Sequence, residues 1–324
     1  MTISSEPLAN KGTVVPIQYC SWQMDLKSPY KISDSITVEN VEGLFKPEHF
    51  KLWKEYVSPR DREKFTSSRF GLVHRFTSPG QVGREETESR GVLHQAFICL
   101  RIVRPTRSWF STVQFKSLPS GAVDVFSFSR PNIIALSVPE GQILSNVELE
   151  DFVTLGRLLP GFSRLLGTGP PQIQRAIRLY EGGYSDVNEP SLQTIVWLMG
   201  IEAMLSQNDE ELIPRNELYD RIGRAVDLNT PICEYAGGKE SPVSPGVRLG
   251  DVLEDLFTLR SRFVHGKWIP AAWKEKTGFV SAPTQITVSY ADMLRLAATY
   301  LLRRMLLNYL EAGHTYASKL STTK

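Results

Sequence analysis

Cysteine and net charge are both scarce in this chain of 324 residues. The three cysteines, Cys20, Cys99 and Cys233, lie far apart, so they predict reduced, packed thiols rather than a disulfide framework or a zinc site. A net charge of +2 means that any contact with nucleic acid must come from a local basic patch. Long apolar runs are also missing, since no stretch reaches the roughly 18 residues of a membrane span. These absences exclude a disulfide-rich secreted scaffold and predict no membrane partner.

The first residues, 1–12, are polar and lack the apolar run of a signal peptide, so the expected location is the cytoplasm. Hydrophobic residues make up 41% of the chain and charged residues 22%, which is the balance of a globular protein. A chain of this length usually holds more than one core. We therefore expect an α+β protein with a β-rich domain over 1–145 and an all-helical domain over 146–324.

Most of the first half has the alternating, β-branched and aromatic pattern of antiparallel strands. Strands are predicted at 13–19, 92–103, 109–116, 123–128 and 132–138. Helices are predicted to interrupt them around Phe50, Trp53 and Val57 and again from Ser58-Pro59. A polar loop is predicted over 77–89.

The second half has the spacing of helices and little strand pattern. Helices are predicted at 147–166, 172–180, 191–206, 216–228, 251–265 and 289–312. Pro160-Gly161 is a possible break in the first of them, and Gly182-Gly183 is expected to end the second. Asp251-x-x-Glu254 and Ser289-x-x-Asp292 resemble capping boxes, and Gly266 and Gly313 are expected C-terminal stops.

The helix at 251–265 combines an apolar face with two residues capable of chemistry. Val252, Leu256, Leu259 and Phe263 form one apolar stripe, and Leu253, Phe257 and Val264 form another beside it. Arg260 lies between Phe257 and Val264, where a guanidinium needs a partner such as Glu202. His265 ends the polar stripe, four residues after Ser261, whose hydroxyl can hydrogen-bond the imidazole. Arg260 and His265 are about 140° apart on a straight helix, so they converge only if the helix end unwinds or a second chain completes the site.

The string Leu253-Glu-Asp-Leu-Phe-Thr-Leu-Arg-Ser-Arg-Phe-Val-His-Gly266 is similar to the signature of HEPN domains, and closest to the ApeA-like group that ends in Arg-x4-His-Gly. The helix Trp197-Leu-Met-Gly-Ile-Glu-Ala-Met-Leu-Ser206 resembles that group's apolar helix with an internal Ile-Glu-Ala. The likeness covers about residues 147–312. It implies a HEPN-like helical bundle and a metal-independent endoribonuclease, with Arg260 and His265 as the catalytic residues and Ser261, Glu202 and Arg262 in support.

The implied chemistry needs no metal and no cofactor, because RNA supplies its own 2′-hydroxyl nucleophile. The resemblance implies cleavage to a 2′,3′-cyclic phosphate and a 5′-hydroxyl. His265 would exchange a proton near neutral pH, and Arg260 would stabilise phosphoryl oxygens. HEPN domains typically pair, which implies a homodimer through the helical domain. RNA is then the partner, the setting is bacterial anti-phage defence or a toxin system, and the N-terminal domain would receive a trigger or an antitoxin.

Plainer interpretations stay open for each of these residues. An arginine and a histidine near a helix end often only satisfy the last carbonyls and the helix dipole. Glu202 is a structural partner of Arg260, an orienting residue of the site, or simply exposed. Arg262 faces solvent beside Asp255 or contacts an RNA phosphate.

Two further observations qualify the nuclease hypothesis. Arg101, Arg104 and Arg107 form a basic patch with nearby aromatic residues, or else belong to a strand and its turn. Many active HEPN nucleases carry Asn, Asp or His after the arginine, where this chain has Ser261. The alternative function is therefore a HEPN-fold binding or scaffold protein that recognises RNA, a nucleotide or a protein without cleaving anything.

Overall fold

A computed structural model describes residues 11–17, 24, 26, 28–42, 46, 59–76, 82–105, 110–117, 123–129, 147–185, 190–206, 211, 213–236, 239–242, 247–267, 279–280 and 287–312. Within these residues the chain has ten strands and eight helices, which makes it an α+β protein, as predicted. The predicted strand at 132–138, the helix around Phe50, Arg107 and Gly313 lie outside them. No described helix is long and apolar enough to cross a membrane.

The strands are mostly early in the chain. Six of them form one sheet: β1 (Lys11–Ile17), β2 (Tyr30–Lys31), β3 (Ile36–Asn40), β4 (Phe70–Phe76), β5 (Thr112–Ser117) and β6 (Val123–Ser129). Four short strands form two hairpins: β7 (Cys233–Ala236) with β8 (Lys239–Pro242), and β9 (Phe279–Val280) with β10 (Thr287–Val288).

The helices dominate from residue 149 onward. They are α1 (Pro59–Ser67), α2 (Val82–Val103), α3 (Leu149–Thr168), α4 (Pro171–Ser185), α5 (Pro190–Leu205), α6 (Arg215–Ala225), α7 (Leu249–Val264) and α8 (Tyr290–Ala312). The α1 helix begins at Pro59, as the Ser58-Pro59 pair predicted.

The described residues fall into two compact units, one from Met1–Ile133 and Asn146–Leu159 and the other from Ile134–Ser145 and Pro160–Lys324. The expected boundary at 145 differs from this division, because the first turns of α3 belong to the first unit. Asp151 of α3 forms an ion pair with Arg104, and Gly156 packs against the backbone of Ile32.

The six-stranded sheet is antiparallel throughout and has the order β2-β3-β4-β1-β5-β6. Residues 13–17 of β1 are fully buried, which fits a central strand. Pro16 is tolerated there because β5 pairs with β1 only as far as Val14, so the missing N–H of Pro16 breaks no bond to β5. The buried cluster on this sheet comprises Val14, Val41, Phe65, Val73, Val113, Phe115 and Val125.

The prediction of a strand at 92–103 is wrong, and so is the polar loop at 82–89, because both are parts of α2. This helix packs on β1 and β4. Its buried residues include Ser89, Leu93, Phe97 and Leu100, which recur at intervals of three and four, and the buried Arg104 directly follows the helix. The β-branched residues of the segment favoured a strand, and packing against the sheet overrides that preference.

Two predicted helix breaks are also absent. The α3 helix continues through Pro160, and α4 continues through Gly182-Gly183 to Ser185. A Cβ added at Gly183 would overlap the Trp197 Nε1, and that indole nitrogen donates to the Tyr180 carbonyl at 3.1 Å. The glycine therefore permits close packing of α4 on α5 instead of ending α4.

In the second unit, α5 is central, because it packs against α4, α6, α7 and α8. This agrees with its apolar sequence, which offers no polar face. At the start of α8 the Ser289 hydroxyl accepts the Asp292 N–H at 3.1 Å and donates to the Asp292 carboxylate at 2.6 Å. That start signal is confirmed, and α8 packs against α7, the helix that carries Arg260.

Candidate functional site

The helix α7 starts two residues earlier than the sequence predicted. Its first residue is Leu249, and the Asp251 carboxylate accepts the backbone N–H of Arg248 at 2.8 Å. Asp251 therefore takes the third position of the helix, not the capping position that the Asp251-x-x-Glu254 pattern suggested.

The other end of α7 is closed by a Schellman motif. The Gly266 N–H donates to the Phe263 carbonyl at 2.9 Å, and the Lys267 N–H donates to the Arg262 carbonyl at 2.8 Å. Gly266 has a φ of +65°, which glycine adopts at little cost. The predicted stop at Gly266 is confirmed, and it holds His265 at the C-cap.

The last turn of α7 lies outside the core. Val252, Leu256 and Leu259 are buried as predicted, but Phe263 is 42% exposed and Val264 is 62% exposed. Assigning these two residues to the core-facing stripes was therefore wrong. Helical spacing gives the face of a residue but not where along the helix the packing ends.

Arg260 has the acidic partner that its position requires. Its Nη2 donates to the Glu202 Oε2 at 3.1 Å, joining α7 to α5. The Arg260 side chain is 40% exposed and the Glu202 side chain is 25% exposed. Burial raises the pKa of Glu202, while the charge and hydrogen bond of Arg260 lower it.

This ion pair uses one part of the guanidinium only. The Nη1 and Nε of Arg260 have no hydrogen-bond partner among the described residues. The arginine is thus anchored on one side and has N–H groups available on the other, the arrangement needed to receive an anion.

A cavity of about 330 Å³ lies beside Arg260. Three helices and the segment before α6 contribute the lining residues, which are Glu202, Ser206, Glu211, Ile213, Arg215, Leu218, Phe257, Arg260 and Ser261. Its size is within the usual range for a small-molecule site. It joins apolar walls to two arginines and two hydroxyls.

His265 is exposed at the end of α7 and is not among the residues lining the cavity. Its backbone N–H donates to the Ser261 carbonyl at 3.2 Å. The predicted bond between the Ser261 hydroxyl and the imidazole is absent from this described segment. The structure thus unites Arg260, Ser261 and Glu202 and leaves His265 apart. The half-buried Arg262 belongs to the Schellman motif through its carbonyl.

Two of the three arginines suggested as a basic patch, Arg101 and Arg104, do not form a surface for nucleic acid. Both Arg101 and Arg104 are buried. Arg101 lies over the Phe97 ring at 4.6 Å, and the Arg104 Nε donates to both carboxylate oxygens of Asp151 at 3.0 and 2.9 Å. Helical folding of this segment turns these arginines inward. The patch is therefore wrong for Arg101 and Arg104, and so is the alternative of a strand, because Arg101 lies in α2.

Sequence reasoning missed Arg215, Ser206, Glu211 and Phe257 as residues around the candidate site. Arg215 is the first residue of α6, and its Nη2 donates to the Thr258 Oγ1 at 3.4 Å and to the Glu254 carbonyl at 3.1 Å. Pro214 marks the start of the helix, but no motif marks Arg215 as a site residue. Nothing in the spacing indicated that α6 would meet α7 beside Arg260.

No family model, curated protein or solved structure matches this chain. The likeness to HEPN domains therefore consists of the motifs in α5 and α7. No group of three or more histidine, cysteine, aspartate or glutamate residues in the described ranges is placed to hold a metal ion.

Proposed function

We propose that this chain is a HEPN-type endoribonuclease whose helical unit cleaves RNA without a metal ion. The observation that carries the proposal is the state of Arg260. It sits in the Arg-x4-His motif, is fixed by Glu202 at 3.1 Å, and keeps its Nη1 and Nε available beside an open cavity. A buried arginine with a purely structural role would be expected to have its donors satisfied internally, whereas Arg260 is 40% exposed and can exchange water for a ligand.

In the proposed reaction the RNA 2′-hydroxyl oxygen attacks the adjacent phosphorus, and the bond from phosphorus to the 5′-oxygen breaks. A base takes the 2′-hydroxyl proton, and an acid protonates the leaving oxygen. The products are a 2′,3′-cyclic phosphate and a 5′-hydroxyl. Arg260 stabilises the charge that builds on the phosphoryl oxygens, and His265 transfers one of the two protons.

A second copy of the chain is the proposed source of the second histidine. Phe263 and Val264 expose apolar surface next to His265, and Met199 does so one turn before Glu202 on α5. Exposed apolar surface of this kind is typical of a protein interface. A two-fold dimer through α5 and α7 would cover these side chains and bring His265 of one chain towards Arg260 of the other.

The proposed setting is a bacterial anti-phage or toxin system, with the N-terminal unit receiving a trigger or an antitoxin. This role follows from the motif likeness and from the presence of a separate unit.

The decisive experiment compares the purified wild type with His265→Ala on RNA. The wild type is expected to cleave RNA in EDTA and to leave DNA intact, because DNA has no 2′-hydroxyl. His265→Ala is expected to lose cleavage. Its free energy of unfolding is expected to stay within about 1 kcal/mol of the wild-type value, since the residue is exposed. Equal cleavage by the folded variant would overturn the assignment of His265.

A mixed dimer of one wild-type chain and one His265→Ala chain tests the composite site. It keeps both arginines but only one of the two histidines, so cleavage well below half that of the wild-type dimer is expected. A mixed dimer, verified by mass, that cleaves at half the wild-type rate would place a complete site in each chain.

The separation of His265 from the cavity favours a second candidate, a binding protein without nuclease activity. In that case the cavity holds its ligand through Arg260 and Ser261, and His265 only caps α7. Ligand binding without any RNA cleavage, in the presence of the trigger, would support this function.

A further inference from the structure

The cavity beside Arg260 is lined by a second arginine from a different helix. Arg215 of α6 is held by three groups: its Nε donates to the Tyr219 hydroxyl at 2.8 Å, and its Nη2 donates to the Glu254 carbonyl and the Thr258 hydroxyl. Its Nη1 has no partner in the described part of the chain. Arg215 thus resembles Arg260 in being anchored on one side with an amino group available on the other.

The acids that line the cavity already have basic partners. Glu202 bonds to Arg260, and Glu211 accepts from the Arg221 Nη2 at 2.6 Å. Glu254 lies 3.6 Å from the Arg215 Nη2, but its side chain is largely exposed, so water screens that charge. The charge of Arg215 is consequently the least compensated one at the cavity, and Arg260 adds the N–H groups that Glu202 leaves unused.

The rest of the lining is suited to a ring. Ile213, Leu218 and Phe257 supply apolar surface, and Phe257 is braced by an edge contact with Tyr219 at 5.5 Å between ring centroids. Ser206 and Ser261 add hydroxyls to these walls, beside the paired carboxylates of Glu202 and Glu211. Two arginines beside an apolar space of about 330 Å³ fit a ligand that joins a phosphate to a heterocyclic ring.

We infer that this cavity binds one ribonucleotide of the RNA next to the bond to be cut, with Arg215 and Arg260 donating to its phosphate. The inference rests on the proposed function for the identity of the polymer. Arg215 is a positioning residue in this scheme: it holds the 3′-phosphate of this nucleotide in place, and Arg260 donates to the same phosphate and stabilises the charge that builds on it. The apolar walls receive the base or the ribose, which gives the site a preference for nucleotides over bare phosphate.

Binding of ribonucleoside 3′-monophosphates to the full-length wild type, measured by calorimetry, tests this site without any need for cleavage. At least one monophosphate is expected to bind more tightly than its nucleoside and more tightly than inorganic phosphate. Arg215→Ala is expected to weaken that binding about tenfold or more, because a hydrogen bond to a charged group is lost. The matched control is Arg178→Ala, an exposed arginine of α4 outside the cavity, which is expected to bind like the wild type.

Arg215→Lys separates a loss of binding from a loss of folding. Lysine keeps the charge but not the planar fork, so an affinity between those of the wild type and Arg215→Ala is expected. Thermal unfolding followed by circular dichroism verifies that each variant is folded. Wild-type affinity in a folded Arg215→Ala protein overturns the site, and so does inorganic phosphate binding as tightly as every nucleotide.

Cleavage kinetics distinguish this inference from the proposed function. If RNA is cut in a His265-dependent way, Arg215→Ala is expected to raise KM more than it lowers kcat. If KM and nucleotide affinity are both unchanged in Arg215→Ala, the nucleotide site is wrong and the nuclease function is unaffected. If nucleotide binding depends on Arg215 but no RNA is cleaved, the site is supported and the nuclease function is wrong.

Discussion

Each of the two units contains an ion pair between an arginine and an acid on different elements, and the two pairs differ in exposure. In the first unit the side chains of Arg104 and Asp151 are 10% and 9% exposed. In the second unit the side chains of Arg260 and Glu202 are 40% and 25% exposed. The shortest distances are similar, 2.9 and 3.1 Å, so the length of the ion pair does not separate them.

The difference shows how the surroundings decide what a paired arginine can do. The Arg104 Nε faces both oxygens of Asp151, and the pair ties the end of α2 to the start of α3. Arg260 uses a single Nη and lines a cavity with the remainder. The arginine of a buried pair has a structural role only, whereas a half-exposed pair positions a guanidinium for a ligand.

The largest effect is expected from Asp151→Asn. This change leaves the buried Arg104 charge without its carboxylate, and breaking one partner of a buried pair costs about 3 kcal/mol. The free energy of unfolding from a denaturant titration would measure it. The variant is expected to destabilise the protein without altering nucleotide or RNA binding.

The control for that substitution is Asp34→Asn. Asp34 pairs with Lys31 at 2.7 Å, but both side chains are exposed, so no measurable change in stability is expected. Equal losses in the two variants would mean that exposure does not separate these pairs, and the comparison would fail.

The sequence predicted the helical unit better than the sheet unit. The predicted helices at 191–206 and 289–312 match α5 and α8 closely, because apolar content and the Ser289 cap act locally. The α2 helix was missed because its β-branched residues favour strands, while the packing that makes it helical involves β1 and β4. Local rules therefore fail where distant partners decide the structure.

The candidate site was also predictable only in part. The partnership of Arg260 with Glu202 followed from helical phase and from the cost of an unpaired charge on an apolar face. The cavity did not follow, because it needs α6 beside α7, and this placement depends on tertiary packing. Arg215 has no motif of its own, so only the fold places it next to Arg260.

A smaller effect is expected at the exposed end of α7, where Gly266→Ala would force a side chain into a φ of +65°. No atom lies within 4 Å of the added Cβ, so backbone strain alone is expected to cost about 1 kcal/mol. Gly223→Ala, within α6, is the control and is expected to stabilise by up to about 1 kcal/mol. Chemical denaturation of both variants would show these opposite signs, and two losses of equal size would remove the Schellman motif as the cause.

The smallest expected effects are changes of stability with pH, which have opposite signs in the two units. In the first unit, His74 bonds to the buried Ser89 hydroxyl at 2.8 Å, and burial lowers its pKa below the ordinary 6.5. The folded unit therefore resists protonation, so the stability from neutral His74 is present above about pH 6.5 and is lost as the pH falls through the lowered pKa. In the second unit, burial raises the pKa of Glu202 above the ordinary 4.5 against the opposing charge of Arg260. Its contribution is present below about pH 4.5 and is lost as the pH rises through the raised pKa.

Hydrogen exchange of amides in β4 and α5, corrected for intrinsic rates, would measure both slopes between pH 4 and pH 8. The free energy of opening in β4 of the wild type, minus that of His74→Gln, is expected to grow with pH, because only the wild type has an imidazole to protonate. The free energy of opening in α5 of the wild type, minus that of Glu202→Gln, is expected to shrink with pH, because the wild-type carboxyl loses its proton in a partly desolvated environment. The Glu202 difference should be the smaller, since Arg260 and solvent both favour the carboxylate. If both stability differences changed with pH in the same direction, Arg260 would hold Glu202 ionised as firmly as a buried pair does. The distinction between the buried pair of Arg104 with Asp151 and the half-exposed pair of Arg260 with Glu202 would then fail.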